Sequence, residues 1–284
     1  MTTTASAPAP GSTPGPGHPP APSRRPNITL RRVLLTVGAV LIILALAWQG
    51  IRLVTLSGYE DHSGSHPITE SVTAVDIRST STELDVVAGD VSAPVLEFDQ
   101  GRSDMVLRHD VSGGELSVVV EPRLRGVFGV TTGSASLRVL LPAGGDGLDL
   151  QVRSTAGQVL IDGDYGEVNL DTTATDSTLT GSANDLTTST TAGEVQADDL
   201  QVDGQVRVDA TAGDVRFALT SPPEGIEVDT TAAEVHFEIP AGDYRIDAST
   251  TAGQVDQHLA SNTQADRVYT FTSTAGDITL VEGS

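Results

Sequence analysis

The feature that most constrains this chain is a five-residue phrase that recurs through its second half. The clearest copy is Thr211–Val215, which reads Thr-Ala-Gly-Asp-Val. The alanines of successive copies lie between 18 residues (Ala156 to Ala174) and 23 residues (Ala252 to Ala275) apart. A repeat at a nearly fixed spacing indicates one small structural unit stacked on copies of itself. The seven alanines are Ala156, Ala174, Ala192, Ala212, Ala232, Ala252 and Ala275, of which Ala174 belongs to a degenerate copy.

Within each copy the apolar residues alternate with polar ones, which is the period of a β-strand. Around Ala212, Val206 and Val208 share one parity, whereas Val215 and Phe217 share the other. A change of parity at a glycine is typical of a corner that turns the chain while one face stays inward. The alanine before that glycine is expected to be small because little room remains at a bend. We therefore predict an all-β chain in which each copy is one coil of a β-solenoid.

Stacked coils place equivalent residues in columns about 4.8 Å apart. The column six residues before each alanine is apolar and is predicted to form the core: Leu150, Val168, Leu186, Val206, Ile226, Ile246 and Tyr269. The residue directly before each alanine is threonine and is predicted to point outward: Thr155, Thr173, Thr191, Thr211, Thr231, Thr251 and Thr274. Such a row could bind a polymeric ligand, for example a glycan or ice. The alternative is that threonine is present for its β propensity and because like residues stack well.

A second outward column lies two residues after each alanine and is mostly acidic. Its members are Gln158, Asp176, Glu194, Asp214, Glu234, Gln254 and Asp277. Carboxylates bind Ca²⁺, but two members are glutamine, and the Gly-Gly-x-Gly-x-Asp phrase of calcium-binding solenoids is absent from the sequence. We therefore interpret the column as solvent-facing and predict neither a metal site nor a cofactor.

The N-terminal part of the chain has a different composition. Residues 1–32 are rich in Thr, Ala, Ser, Gly and Pro, which predicts a disordered tail. The apolar run at 33–56 is long enough to cross a hydrocarbon core of about 30 Å as one transmembrane helix. Four arginines precede this run and only Arg52 lies near its far end, which predicts a cytoplasmic N-terminus and an extracytoplasmic repeat domain. The alternative is a signal peptide cleaved after Ala47.

Residues 57–69 are predicted to be a short linker, and residues 70–284 a single β-solenoid domain. His62 and His66 lie four residues apart in that linker, and we interpret them as exposed spacer residues rather than metal ligands. Residues 79–86 resemble a degenerate first copy of the repeat. Further on, residues 105–108 and 115–120 flank a Gly-containing turn and predict a hairpin.

Charge and motifs exclude several classes of function. All 38 acidic residues follow residue 56 together with 11 of the 16 arginines, so that part carries 11 − 38 = −27. Such an excess repels nucleic acid and anionic lipid headgroups. The chain has no cysteine, and it lacks the P-loop, Gly-x-Ser-x-Gly and His-Glu-x-x-His motifs. The acidic residues are spread evenly instead of being grouped as in polysaccharide-cleaving β-helix enzymes, so we predict that the protein is not an enzyme.

The β-rich opening stretch, the strand ending in Leu141-Pro142 and the Thr-Ala-Gly-acid-Val coils behind one anchor resemble the bacterial putative-adhesin domain family. The resemblance covers about residues 70–284. It implies a β-solenoid-like domain at the cell envelope, and it supplies no catalytic or binding residues. The first hypothesis is non-catalytic binding or adhesion to a cell-wall glycan or an envelope protein, with the membrane contacted through 33–56. The alternatives are an envelope-stress accessory protein that signals through its anchor or tail, as the neighbourhood of some relatives implies, and a glycan-active enzyme.

Overall fold

The structure, a computed structural model, describes residues 63–122, 134–143 and 147–283. These residues belong to one compact unit, Leu56–Ser284, and form seventeen strands and no helix. The strands are β1 (Gly64–Pro67), β2 (Ala74–Ser79), β3 (Thr82–Gly89), β4 (Val95–Asp99), β5 (Met105–Ser112), β6 (Glu115–Pro122), β7 (Ala135–Pro142), β8 (Asp149–Ala192), β9 (Val195–Val202), β10 (Gln205–Ala212), β11 (Val215–Leu219), β12 (Gly225–Ala232), β13 (Val235–Ile239), β14 (Arg245–Ala252), β15 (Val255–Gln257), β16 (Val268–Ala275) and β17 (Ile278–Glu282).

The prediction of an all-β chain is confirmed for this part of the sequence. The predicted tail at 1–32 and the predicted transmembrane helix at 33–56 lie outside the described residues. Among the residues that are described, there is no helix with the length and apolar character needed to cross a membrane.

The strands stack in parallel, and each coil places one strand before its corner and one after it. The ladder before the corner runs through space in the order β6, β2, β8, β10, β12, β16, β14. The ladder after the corner runs β7, β3, β8, β9, β11, β13, β17, β15. Strand β8 is 44 residues long because it continues through several corners and belongs to both ladders. The arrangement is solenoid-like, with equivalent residues of successive copies in register.

The core lies between the two ladders, as the alternation predicts. All seven members of the apolar column are buried. Toward the C-terminal end the core becomes aromatic: the Phe217 and Phe237 rings stack with centroids 4.9 Å apart, and Phe271 meets Phe237 edge-on at 5.1 Å. Tyr244 and Tyr269 stack at 4.8 Å. Burying such a ring contributes about 1.5–3 kcal/mol, so these coils are stabilised chiefly by apolar burial.

At five of the seven corners a glycine follows the alanine, and there the crowded residue is the glycine and not the alanine. Gly213 has a φ of 110°, and a Cβ added to it would collide with the carbonyl oxygen of Gly193 in the neighbouring coil. The alanine before it is half-buried at Ala212 and exposed at Ala232. The expectation that the alanine is small for lack of room is therefore wrong. The corner brings two backbones together at the glycine, whereas the alanine faces solvent.

The N-terminal end of the stack is closed by antiparallel strands. β5 and β6 form the predicted hairpin, whose two-residue loop, Gly113-Gly114, has positive φ at both positions. β4 pairs antiparallel with β7, and β1 pairs antiparallel with β4. β2 and β3 form the predicted degenerate first copy, with Thr82 opposite Gly157. Strand β1 lies within the predicted linker 57–69, which therefore contains a strand; its four residues, one of them Pro67, are too few for the alternation to predict it.

At the C-terminal end the order of the coils departs from the order of the chain. β16 lies between β12 and β14, and β17 lies between β13 and β15. Tyr269 therefore pairs with both Ile226 and Ile246. The outermost coil is β14–β15, although the β16–β17 coil follows it in sequence. Within the described ranges, residues 258–267 cover a small part of that end, where Leu259 is buried and the Ile246 amide donates to the Ser261 hydroxyl at 2.9 Å.

Candidate functional site

The seven threonines predicted to face outward form a continuous exposed row at the corners. Every one of them is exposed. The alanines that follow them are in register where pairs are resolved, with Ala212 opposite Ala232 and Ala275 opposite both Ala232 and Ala252. The threonine row, in spatial order, is Thr155, Thr173, Thr191, Thr211, Thr231, Thr274 and Thr251. Neighbouring members are about 4.8 Å apart because each lies on the next coil.

The exchange of the last two coils also changes the order of the acidic column. Backbone hydrogen bonds join neighbouring positions of this column, because the amide that follows one member donates to the carbonyl of the next member. The bonds run from Ser177 to Glu194 at 2.8 Å, and from Val195 to Asp214, from Val215 to Glu234 and from Val235 to Asp277, each at 2.9 Å. Ile278 donates to Gln254 at 2.9 Å, which places that glutamine last. The result is an unbroken acidic row with a glutamine at each end, Gln158 and Gln254. The acidic row is Asp176, Glu194, Asp214, Glu234 and Asp277.

Two carboxylates of the acidic row also accept hydrogen bonds from the backbone of the neighbouring coil. Asp176 Oδ1 accepts a hydrogen bond from the Glu194 amide at 3.0 Å, and Asp277 Oδ1 accepts one from the Gln254 amide at 2.8 Å. A charged acceptor makes a stronger hydrogen bond than a neutral one. These two side chains therefore fix the spacing of the corners as well as contributing charge to the surface.

Arg216 is the cation that lies next to the acidic row. Its guanidinium group forms ion pairs with Glu194 and with Asp214, the latter at 2.8 Å. Chiefly because of the nearby Glu194 charge, the pKa of Arg216 is raised above its ordinary value. Both ion pairs are largely exposed, so each is worth little stability in water. Their main effect is to neutralise part of the negative charge in the middle of the row.

Beside Arg216, the outer surface of the second ladder carries two adjoining depressions. One has a volume of about 210 Å³ and is lined by Arg216, Glu234, His236 and Asp277, among others. The second, of about 310 Å³, lies over Ala218, where a short side chain stands between Asp198 and Glu238. Arg216 and His236 border both. Residue spacing alone does not predict these depressions, since they depend on which outward residues of different coils become neighbours.

Each depression is lined by two carboxylates together with Arg216 and His236. In the described ranges, no three His, Cys, Asp or Glu side chains are placed to hold a metal ion. Of the two linker histidines, His62 is outside the described residues. His66 lies on β1 with its ring 5.6 Å from that of His109. The surface offers rows of hydroxyls, carboxylates and one guanidinium group, which is suited to binding by hydrogen bonds and charge.

Several solved structures resemble the chain at low sequence identity. One, described as a putative adhesin from Bacteroides fragilis, is 7% identical with a TM-score of 0.45, and the match covers 77% of this chain and 96% of that one. A putative cell adhesion protein from Clostridium sporogenes is 9% identical with a TM-score of 0.36, covering 78% and 99%. A putative lipid binding protein from Parabacteroides distasonis is 12% identical with a TM-score of 0.30, covering 78% and 98%. Scores at this level carry no argument about function.

No curated protein matches the chain. The family model described as Toastrack DUF4097 matches residues 60–281, which include every coil of the stack. The resemblance to the bacterial putative-adhesin domain family, drawn above from the repeated corners and the Leu-Pro strand, is thereby confirmed. This chain belongs to the Toastrack family, DUF4097.

Proposed function

We propose that this protein is anchored in the membrane by residues 33–56 and binds a ligand of the cell envelope outside the cytoplasm, without catalysis. The observation that carries the proposal is the threonine row, which extends unbroken over seven coils and is exposed at every position. A row of like groups at a fixed spacing suits a ligand that is itself a linear repeat, because each added coil adds the same contact. A cell-wall glycan or an extended segment of an envelope protein has that form.

The acidic row supports the same proposal. It runs beside the threonine row over five coils, so that the same ligand can receive hydrogen bonds from hydroxyls and meet carboxylate charge along one line. The large negative charge of the extracytoplasmic part disfavours docking to anionic lipid and to nucleic acid. A neutral or cationic envelope polymer is therefore the class of ligand that the surface favours.

The test is binding of the full-length chain in detergent to an array of glycans and cell-wall fractions. The variant carries Thr→Val at Thr191, Thr211, Thr231 and Thr274, which keeps the β-branched shape and removes the hydroxyls. The control carries Thr→Val at four exposed threonines outside the row, Thr69, Thr220, Thr263 and Thr272. We expect at least tenfold weaker binding by the row variant and little change in the control. Equal binding by the two variants, or no binding by the wild-type chain, would overturn the proposal.

Deletion of residues 1–30 separates binding from tail-dependent signalling. Binding to the array should survive this deletion, because none of the threonine row or the acidic row lies in the deleted segment. A stress-response output that disappears with the tail while binding stays intact would favour the envelope-stress alternative.

A further inference from the structure

Among the described residues, the outermost coil, β14–β15, has no strand paired to the backbone groups on its outer side. In β14 the Arg245 amide donates to Arg267 on the β16 side, whereas the Ile246 amide points the other way, to Ser261. Because the direction of backbone groups alternates along a strand, the amide and carbonyl groups of residues 248 and 250 point away from the stack. The Ala252 carbonyl, at the corner, instead accepts a hydrogen bond from the Gly276 amide at 3.1 Å. In β15 the His258 amide donates to Leu280, so residues 255 and 257 also face outward at this end.

The inward-facing side chains of the same coil are only partly covered. Val255 is 39% exposed, whereas its equivalents Val215 and Ile278 in inner coils are fully buried. Ala248 and Thr250 are half-buried. The segment 258–267 covers the start of β14, where the Asn262 amide donates to the Tyr244 carbonyl at 2.9 Å, but the corner half of the coil lies bare.

The bare stretch is free of charge. Residues 248–255 contain no Asp, Glu or Arg. Two inner coils carry Asp209 and Asp229 where this coil carries Ser249, whereas two others carry Ser189 and Thr272. In the acidic row this coil contributes the neutral Gln254. Sheet edges that must stay unpaired are usually protected by charged side chains or by proline. An acidic protein that omits charge at its open edge is suited to pair that edge with another strand.

We propose that the β14–β15 edge pairs with the same edge of a second copy, forming an end-to-end dimer with two-fold symmetry. A two-fold contact requires a self-complementary strand, and the neutral stretch meets this need with Thr250 on the axis. Ala248 then lies opposite the partner's Ala252, and Ser249 opposite the partner's Thr251. Asp247 lies opposite the partner's Gly253, so no two like charges face each other.

The proposed pairing does not overlap the part of β14 that the segment 258–267 of the same copy covers. The pairing uses residues 248–252 of each copy and ends before Ile246, which the copy's own segment 258–267 already contacts. The opposite end of the stack is a poor alternative partner. Its outer strands are antiparallel, β1 has only four residues and contains Pro67, and β5 carries Arg108 and Asp110. The contact therefore closes as a dimer and does not propagate head to tail. The dimer does not depend on a ligand at the threonine row.

Charge substitution tests the dimer by sedimentation velocity of the full-length chain in detergent. The variant S249D/Q254E introduces acidic side chains that some inner coils carry at the equivalent positions, for example Asp229 and Asp277, so the coil itself should tolerate them. The control S189D/Q158E makes the same change of charge at two exposed positions on inner coils. We expect a concentration-dependent dimer for the wild-type chain and the control, and at least tenfold weaker dimerisation for the variant. A wild-type monomer at all concentrations, equal behaviour of variant and control, or assemblies larger than a dimer would overturn the proposal.

Disulfide formation tests the position of the axis, since the chain has no natural cysteine. Directly opposed residues of a hydrogen-bonded antiparallel pair have Cα atoms about 5.5 Å apart, within the range that a disulfide spans. The T250C variant should therefore form a covalent dimer under mild oxidation. The D247C control should not, because six residues separate the two copies of that position along the paired strands. Equal crosslinking of the two variants, or none in T250C, would show that the axis does not lie at Thr250.

Discussion

At five of the seven corners a single glycine decides how closely two coils can approach. Gly213 lies against the backbone of Gly193, and its φ of 110° is one that side chains with a Cβ rarely adopt. The G213A variant should lose about 1–3 kcal/mol of stability from backbone strain alone, and more from the collision. The measurement is the urea midpoint of the full-length chain.

Ala233 provides the matched control for this prediction, because it occupies the equivalent corner position without a glycine. It is buried and does not have a positive φ. The A233G variant should lose no more than about 1 kcal/mol, through the greater freedom of the unfolded chain. Similar losses in G213A and A233G would show that the corners do not depend on close backbone approach.

Ionisation of the buried Tyr269 hydroxyl is expected to lower the stability of the folded protein at alkaline pH. Its hydroxyl donates to the Pro223 carbonyl at 2.8 Å, and burial is the main cause that raises the pKa of Tyr269 from 10.0 to about 12. The folded state therefore holds this proton more tightly than the unfolded state. The resulting stability is complete below pH 10 and is lost as the pH rises through about 12. At 1.36 kcal/mol per pKa unit, the loss is about 2–3 kcal/mol.

The Y269F variant checks this expectation. It removes a buried hydrogen bond and should cost about 1 kcal/mol at neutral pH, but it should reduce the loss of stability between pH 10 and 12. Urea midpoints across this range, with phenolate absorbance measured in parallel, give the comparison. An identical pH dependence in the variant and the wild-type chain would contradict the assignment to Tyr269.

At the scale of the strands, the coil order can be tested with engineered cysteines. Asp229 is paired with Thr272, and Thr272 in turn with Ser249. Neighbouring strands are about 4.8 Å apart, within reach of a disulfide, whereas strands two steps apart are about 9.6 Å apart and beyond it. The D229C/T272C variant should therefore oxidise readily and D229C/S249C should not. If the coils stacked in chain order, the reverse would be observed by gel mobility.

The alternation and the corner glycines predict most of these strands, because both follow from local chemistry. Val206 and Phe217 are buried on opposite sides of a corner, as parity requires. The order of the last two coils could not be predicted in the same way. Ile246 and Tyr269 occupy equivalent positions in their copies, so either could lie next to Ile226. The choice between these two coils depends on the contacts of the whole coil, which no single residue of the repeated phrase indicates.

The candidate surface was predictable to a similar extent. Outward parity identified every member of the threonine row, since that property belongs to each coil separately. The neighbour relations of the last two coils were not predictable, because these coils are exchanged relative to the order of the chain. The continuity of the acidic row depends on Asp277 lying next to Glu234. The depression over Ala218 depends on Asp198 and Glu238 standing one coil to either side. These features arise only when the stacking order is known.

At the scale of the whole molecule, the anchor at 33–56 remains a prediction that fractionation can check. The full-length chain should remain in the membrane fraction after alkaline carbonate washing, and deletion of 33–56 should release it. Intact mass should show that residues 1–47 are retained. A mature protein that begins at Trp48 would show instead that the segment is a cleaved signal peptide.

The exchanged coil at the C-terminal end also restricts when this molecule can be completed during synthesis. β14 and β15 leave the ribosome before β16 and β17, yet the later pair must occupy the position directly on top of β12 and β13. The earlier coil has matching residues for that position, with Ile246 in place of Tyr269 and Val255 in place of Ile278. If the coils folded in the order of translation, β14–β15 would therefore pair first with β12–β13, in the position that β16–β17 occupies in the native structure. The native arrangement of these two coils can therefore be reached only after residue 282 has emerged.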